Sequence, residues 1–266
     1  TMLRSVYWKT LRDQRRALFW WSIGLLGIAL SLTFFYPFIG KSPELNLLFE
    51  EAPPAIKVLI GEAANCTSPT GYLNTKLFFL FLPLLFLVFT INQGSSSIAG
   101  EEEAGTLDLL LANPLARWRL VLEKFGALLA ATVLLGLIFW LGLAFGARTV
   151  GMEISIYRMA EAVFSAALLG LAFGSLALAL GCATGRRGTS AGTTTAIALA
   201  AYLINSLAPL VERLEPFRRL SLFYYYIGAD PLVKGLNIQH VAVLIGLTVV
   251  FLAVSVLSFE YRDLTV

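Results

Sequence analysis

The sequence predicts an all-α, polytopic membrane protein: six transmembrane helices, an N-terminal amphipathic helix at the membrane surface, and a charged cytoplasmic helix between spans 2 and 3. Two observations carry this prediction. Hydrophobic residues make up 58% of the chain and charged residues only 14%, against roughly 45–50% and 25% in soluble domains. The apolar residues also fall in runs long enough to cross a bilayer, which needs about 20 residues per helix. A formal charge of +3, scattered along the chain, gives no basic patch of the kind that binds nucleic acid. The whole of residues 1–266 reads as one transmembrane domain.

Residues 1–16 place Leu3, Val6, Tyr7 and Leu11 on one face and Arg4, Lys9, Arg12, Arg15 and Arg16 elsewhere. This is the layout of a helix lying along the inner membrane surface. Trp8, Trp20 and Trp21 suit headgroup depth. Span 1 covers 17–39, and with no small-residue cleavage site after it the segment reads as an uncleaved signal-anchor; Thr1 ahead of Met2 reads as an added residue. The outer segment 40–74 holds short apolar pieces punctuated by Pro53 and Pro54, consistent with small packed helices. Ser68 and Pro69 form a good N-cap and first-turn pair. A helix from there to Ala99 would measure about 48 Å, beyond the hydrocarbon thickness of about 30 Å, so span 2, assigned to 75–99, must protrude, tilt or break. Its inner half, with Asn92, Gln93 and Ser96, is polar and faces either a water-filled path or a close helix neighbour.

Spans 3 (120–147) and 4 (160–183) both carry the pentapeptide Gly-Leu-Ala-Phe-Gly, at 142–146 and 170–174. Such ridges let helices approach closely in lipid, within the chain or between subunits. Gly185 suits a helix C-cap, Thr189 or Ser190 an N-cap, and Arg186-Arg187 an inward turn. Span 5 (190–210) is rich in Thr and Ala, with Thr194 and Asn205 inside, implying tight packing or a lining role. In the outer segment 212–239 the run Tyr224 to Tyr226 reads as an interfacial belt. Span 6 covers 240–259, and its lone His240 reads as an interfacial residue rather than a ligand. Cys66 and Cys182 lie far apart and carry no disulfide or metal signature; Asn65-Cys66-Thr67 is a sequon by pattern only. Inner segments hold 11 Lys and Arg against 9 outside. Arg15-Arg16 directly before span 1 gives the strongest orientation signal, placing both termini in the cytoplasm.

Residues 100–119 form a charged island between spans 2 and 3. Glu101, Glu102, Glu103, Asp108, Arg117 and Arg119 fall in it, and charges at about 3 kcal/mol each at the bilayer centre keep it in water. Leu107, Leu110 and Leu111 nonetheless recur at helical spacing before Pro114, describing a short helix over 101–116 whose apolar face needs a partner. The pattern Glu101-x-x-x-Gly105-Thr106-Leu107-x-x-Leu110-Leu111-x-x-Pro114-x-x-Arg117 resembles the ABC type-2 permeases, the membrane subunits of a class of ATP-binding-cassette exporters. An aromatic residue before a short Arg-Asp-Leu tail also looks like that family.

The resemblance implies that the segment is a coupling helix docking into a separate ATPase subunit, with Arg186 and Arg187 facing the same partner. It further implies two permease copies or two related permeases, a bacterial plasma-membrane location, an outer hairpin capping the path, and a pathway along spans 2 and 5. ATP and magnesium would then belong to the partner, with no cofactor on this chain. The chain contains no Gly-x-x-x-x-Gly-Lys-Ser/Thr loop to cradle phosphate. Pathway side chains that are apolar, hydroxylated or amide suit a lipid, drug, peptide or antibiotic, with export resting on the resemblance. An ion-coupled carrier would want ionisable residues near the midplane, and a membrane enzyme a clustered nucleophile and base; neither pattern is present. A non-transporting anchor subunit of an ABC complex remains open.

Overall fold

The computed structural model describes residues 6–40, 68–107, 116–209, 211, 214–227, 232 and 234–262, and these are almost wholly helical. Helix α1 runs unbroken from Val6 to Gly40. The expected boundary between a surface helix (1–16) and span 1 (17–39) is therefore absent: no Gly or Pro separates Arg15 from Trp21, so helical hydrogen bonding continues through the basic turn. Val6, Thr10, Leu18, Leu25, Ala29 and Thr33 are its buried residues, one face laid along the next long helix of the bundle.

Span 2 breaks, one of the outcomes its length required. Ser68 accepts a hydrogen bond from the Gly71 N–H and caps α2 (Pro69–Leu73), as its sequence position predicts. A π-helical turn follows over Asn74–Phe78, and α3 then covers Phe81–Ser97. The irregular turn leaves the Phe78 carbonyl available, and the buried Tyr226 hydroxyl donates to it at 2.5 Å. Tyr226 is thus part of the core and not of a surface belt.

After the short α4 (Ala99–Glu103), α5 extends over Arg117–Val150 and α6 over Ile156–Thr184. Gly151 and Gly185 end them in the left-handed conformation, at φ 70° and 64°, where a Cβ would be strained. Helix α7 covers Arg187–Leu207. It starts earlier than expected, and neither Thr189 nor Ser190 caps it: the Ser190 hydroxyl donates to the Ala177 carbonyl of α6 instead. The outer helices α8 (Glu215–Arg218) and α9 (Leu222–Ile227) precede α10 (Ile238–Tyr261), which Asn237 caps.

Helix α6 is the axis of the bundle. It packs on α3, α10, α5 and α7, while α1 lies along α5. Among the described residues five helices are long and apolar enough to cross a membrane: α1, the broken α2–α3 unit, α5, α6 and α10. Helix α7, the sixth expected span, forms over 21 residues but is not among them, because Gly188, Thr189, Ser190, Gly192 and Thr193–Thr195 dilute its apolar content.

Candidate functional site at the charged end of the bundle

The segments expected to be cytoplasmic gather at one end of the bundle. Three consecutive carboxylates on α4 fan out from there to three different helices. Glu101 Oε1 takes the Lys124 ammonium of α5 at 2.6 Å. Glu102 Oε1 pairs with the Arg262 guanidinium at the end of α10. Glu103 Oε1 accepts the backbone N–H of Arg187 at 2.9 Å, and so supplies the cap that the α7 start lacks.

The pairs differ in exposure. The Lys124 side chain is only 4% exposed, so deleting Glu101 would strand a buried cation, a loss of about 3–5 kcal/mol. The Arg262–Glu102 pair keeps about a fifth of each side chain in contact with solvent. Around this core the Tyr7 N–H at the start of α1 donates to Glu123 Oε2 of α5 at 3.1 Å, and Arg119 donates to Glu123 Oε1 at 2.9 Å. A carboxylate at a helix N-terminus also opposes the positive end of its dipole.

The chain then turns at Gly105, φ 65°. The Gly105 and Thr106 N–H groups return to the Glu102 and Glu101 carbonyls, closing α4 in the manner of a glycine C-cap. This turn sends Leu107 inward, 2% exposed, among Ile98, Leu120, Leu178, Cys182 and Phe259. Leu107, expected on the partner-facing side with Leu110 and Leu111, is therefore a core residue of this chain. Residues 108–115, which include Leu110, Leu111 and Pro114, lie outside the described residues. On their far side Arg117 donates to the carbonyls of Phe259 (3.2 Å) and Arg262 (2.8 Å), with its guanidinium carbon 5.8 Å from the Phe259 ring centre. Leu107 and Arg117, the described residues nearest this segment that make these contacts, are thus both anchored in the bundle.

Arg186 and Arg187 stand at the exposed α6–α7 turn, and Arg187 Nη2 donates to Asn92 Oδ1 at 2.9 Å. Of the residues predicted to line a pathway, Asn92 is exposed and Ser96 half-buried, whereas Gln93, Thr194 and Asn205 are buried inside the chain. A cavity of about 420 Å³ does lie between α3 and α7, lined by Leu84, Leu87, Ile91, Asn92, Thr195 and Tyr202 among others. Thr195, one residue along from Thr194, faces it because a helix rotates its side chains by about 100° per residue.

Sequence reasoning missed Lys124 and Arg262 as partners of the glutamates. The available signal was Lys124 itself: a cation embedded in an apolar helix demands a counter-charge, and the nearest carboxylate run is Glu101–Glu103. At the opposite end His240 stands 5.6 and 5.4 Å from the rings of Tyr224 and Tyr225, an aromatic cluster rather than a ligand set.

Five helices long and apolar enough to cross a bilayer among the described residues define a multi-pass membrane protein. The family described as ABC-2 family transporter protein matches residues 4–264, and the chain belongs to that family. The probable ABC transporter permease protein NosY of Pseudomonas aeruginosa is 35% identical over 158 residues, 54% of this chain and 56% of that protein. The match thus spans little more than half the length of that relative.

Proposed function

We propose that this chain is the permease subunit of an ATP-binding-cassette exporter in a bacterial plasma membrane, with both termini cytoplasmic. Two copies, or this chain and a related permease, enclose the path, and a separate ATPase subunit supplies ATP and magnesium chemistry. The observation that carries the reading is that both flanks of 108–115 are anchored in the bundle, Leu107 by burial and Arg117 by its hydrogen bonds to the end of α10. A segment fixed at both ends can pass a push into the bundle instead of absorbing it. Leu110 and Leu111 provide the apolar grip for the partner.

In this mechanism ATP binding draws the two ATPases together, each carrying its 108–115 segment with it. Arg117 delivers the displacement to α5, and the Glu101, Glu102 and Glu103 contacts deliver it to α5, α10 and α7. Packed helices answer such a displacement by shifting between discrete arrangements, and ATP acts through its preference for one of them. The α3–α7 cavity, apolar with Asn92 and Thr195 on its lining, suits the apolar portion of an amphipathic cargo such as a lipid, drug, peptide or antibiotic. The printed name of the Pseudomonas relative, a probable ABC transporter permease, agrees with the subunit role.

The test is the double variant Leu110→Asp, Leu111→Asp. It is expected to reach the membrane at the normal level and to lose co-purification with the ATPase subunit. Undiminished co-purification would overturn the docking role.

A further inference from the structure

Arg262 enters the coupling reading only as the partner of Glu102, yet its guanidinium and carbonyl make further contacts. It follows the last turn of α10 in extended conformation, φ −79° and ψ 128°, and meets three other elements at once. Nη1 donates to the Cys182 carbonyl in the last turn of α6 at 2.9 Å, and Nη2 pairs with Glu102 of α4. Its own carbonyl accepts from Arg117 of α5. The last carbonyls of a helix have no intrahelical partner and sit at the negative end of its dipole, so the ends of α6 and α10 are natural seats for arginines. A planar guanidinium reaches two acceptors with fixed geometry, which a lysine ammonium on a flexible stem does not reproduce.

Gly185 completes the seat. A Cβ at this residue would run into both the Arg262 guanidinium and the Glu102 carboxylate, so the glycine that ends α6 also makes room for the pair. The Glu101–Lys124 contact ties α4 only to α5, the helix the chain enters next. Glu103 reaches α7 through the Arg187 N–H, whereas Arg262 joins α4 to both α6 and α10.

We infer that Arg262 is a positioning residue that makes α10 and α6 move with the ATPase-facing segment, so that the push is shared across the bundle and not confined to α5. The inference rests on the coupling reading, and its test separates the two. In a Cys66→Ser background, nitroxide pairs at Phe81→Cys with Val249→Cys (α3–α10) and at Phe81→Cys with Leu137→Cys (α3–α5) report helix movement. All three sites are exposed. Distances are measured in the assembled complex with and without ATP and vanadate.

In Arg262→Glu the ATPase is expected to co-purify and the α3–α5 distance to respond as in the parent protein, while the α3–α10 response is lost. ATP turnover of the bound ATPase should fall roughly fivefold or more, the lower range of coupling between distant sites. Adding Glu102→Arg should restore the α3–α10 response by reversing the pair, and Arg262→Lys should restore it in part. An α3–α10 response unchanged in Arg262→Glu would overturn the inference, as would loss of both responses without rescue by the reversed pair. Failure of the parent chain to bind any ATPase subunit would instead overturn the coupling reading.

Discussion

The run Gly142–Gly146 in α5 and the identical run Gly170–Gly174 in α6 receive different partners. In α5 the glycines admit side chains of α1: a Cβ at Gly142 would stand 2.6 Å from Leu26 Cδ1, and one at Gly146 would strike Thr33. In α6 the approach is backbone to backbone. The Thr90 hydroxyl of α3 donates to the Gly170 carbonyl at 2.7 Å, and a Cβ on Gly94 would land on the Gly174 carbonyl oxygen. The phenylalanines diverge as well, Phe145 being 63% exposed and Phe173 fully buried. The five residues therefore specify one face of close approach, and the far face depends on where the helix stands. Around this run helix α6 is enclosed by protein, while α5 turns its outer side to the surroundings. Both ridges are occupied within the chain, which settles their use in favour of internal packing.

Four substitutions sharpen or break this contrast, each read as the change in unfolding free energy in mixed micelles under added denaturing detergent. Phe173→Ala should be the most damaging, about 3–5 kcal/mol through its cavity and missing dispersion contacts, whereas Phe145→Ala should stay within about 0.5 kcal/mol; equal losses would mean that the two faces are not distinct. Gly94→Ala should lose about 3 kcal/mol, because a backbone carbonyl cannot rotate aside and overpacking must separate α3 from α6. A loss below that of Gly146→Ala would contradict the backbone-contact description. Gly146→Ala should lose about 1 kcal/mol, since the Thr33 side chain that it meets can be displaced more readily than a carbonyl. No measurable change there would show the α1–α5 contact to be loose.

Much of the fold was legible because the bilayer imposes a length and a polarity that the sequence must display. The apolar runs, the Ser68 cap of α2 and the Gly185 end of α6 all followed from local rules. Local rules failed where a distant residue supplied the missing group. Ser190 was a plausible cap for α7, but Glu103 of another helix caps that start and the serine bonds to α6. The continuity of α1 was missed for a different reason: a change from basic to apolar residues alters what surrounds a helix without breaking its hydrogen bonds. Leu107 kept helical spacing with Leu110, yet the left-handed turn at Gly105 directs it inward.

The sequence alone determined that the chain resides in a membrane, because its apolar runs match the thickness of a bilayer and desolvating charge there is costly. Tertiary structure decided which group answers each glutamate and which copy of the Gly-Leu-Ala-Phe-Gly run becomes core. Those choices depend on contacts between residues as far apart as Glu102 and Arg262, and no local pattern records which helix will lie beside which.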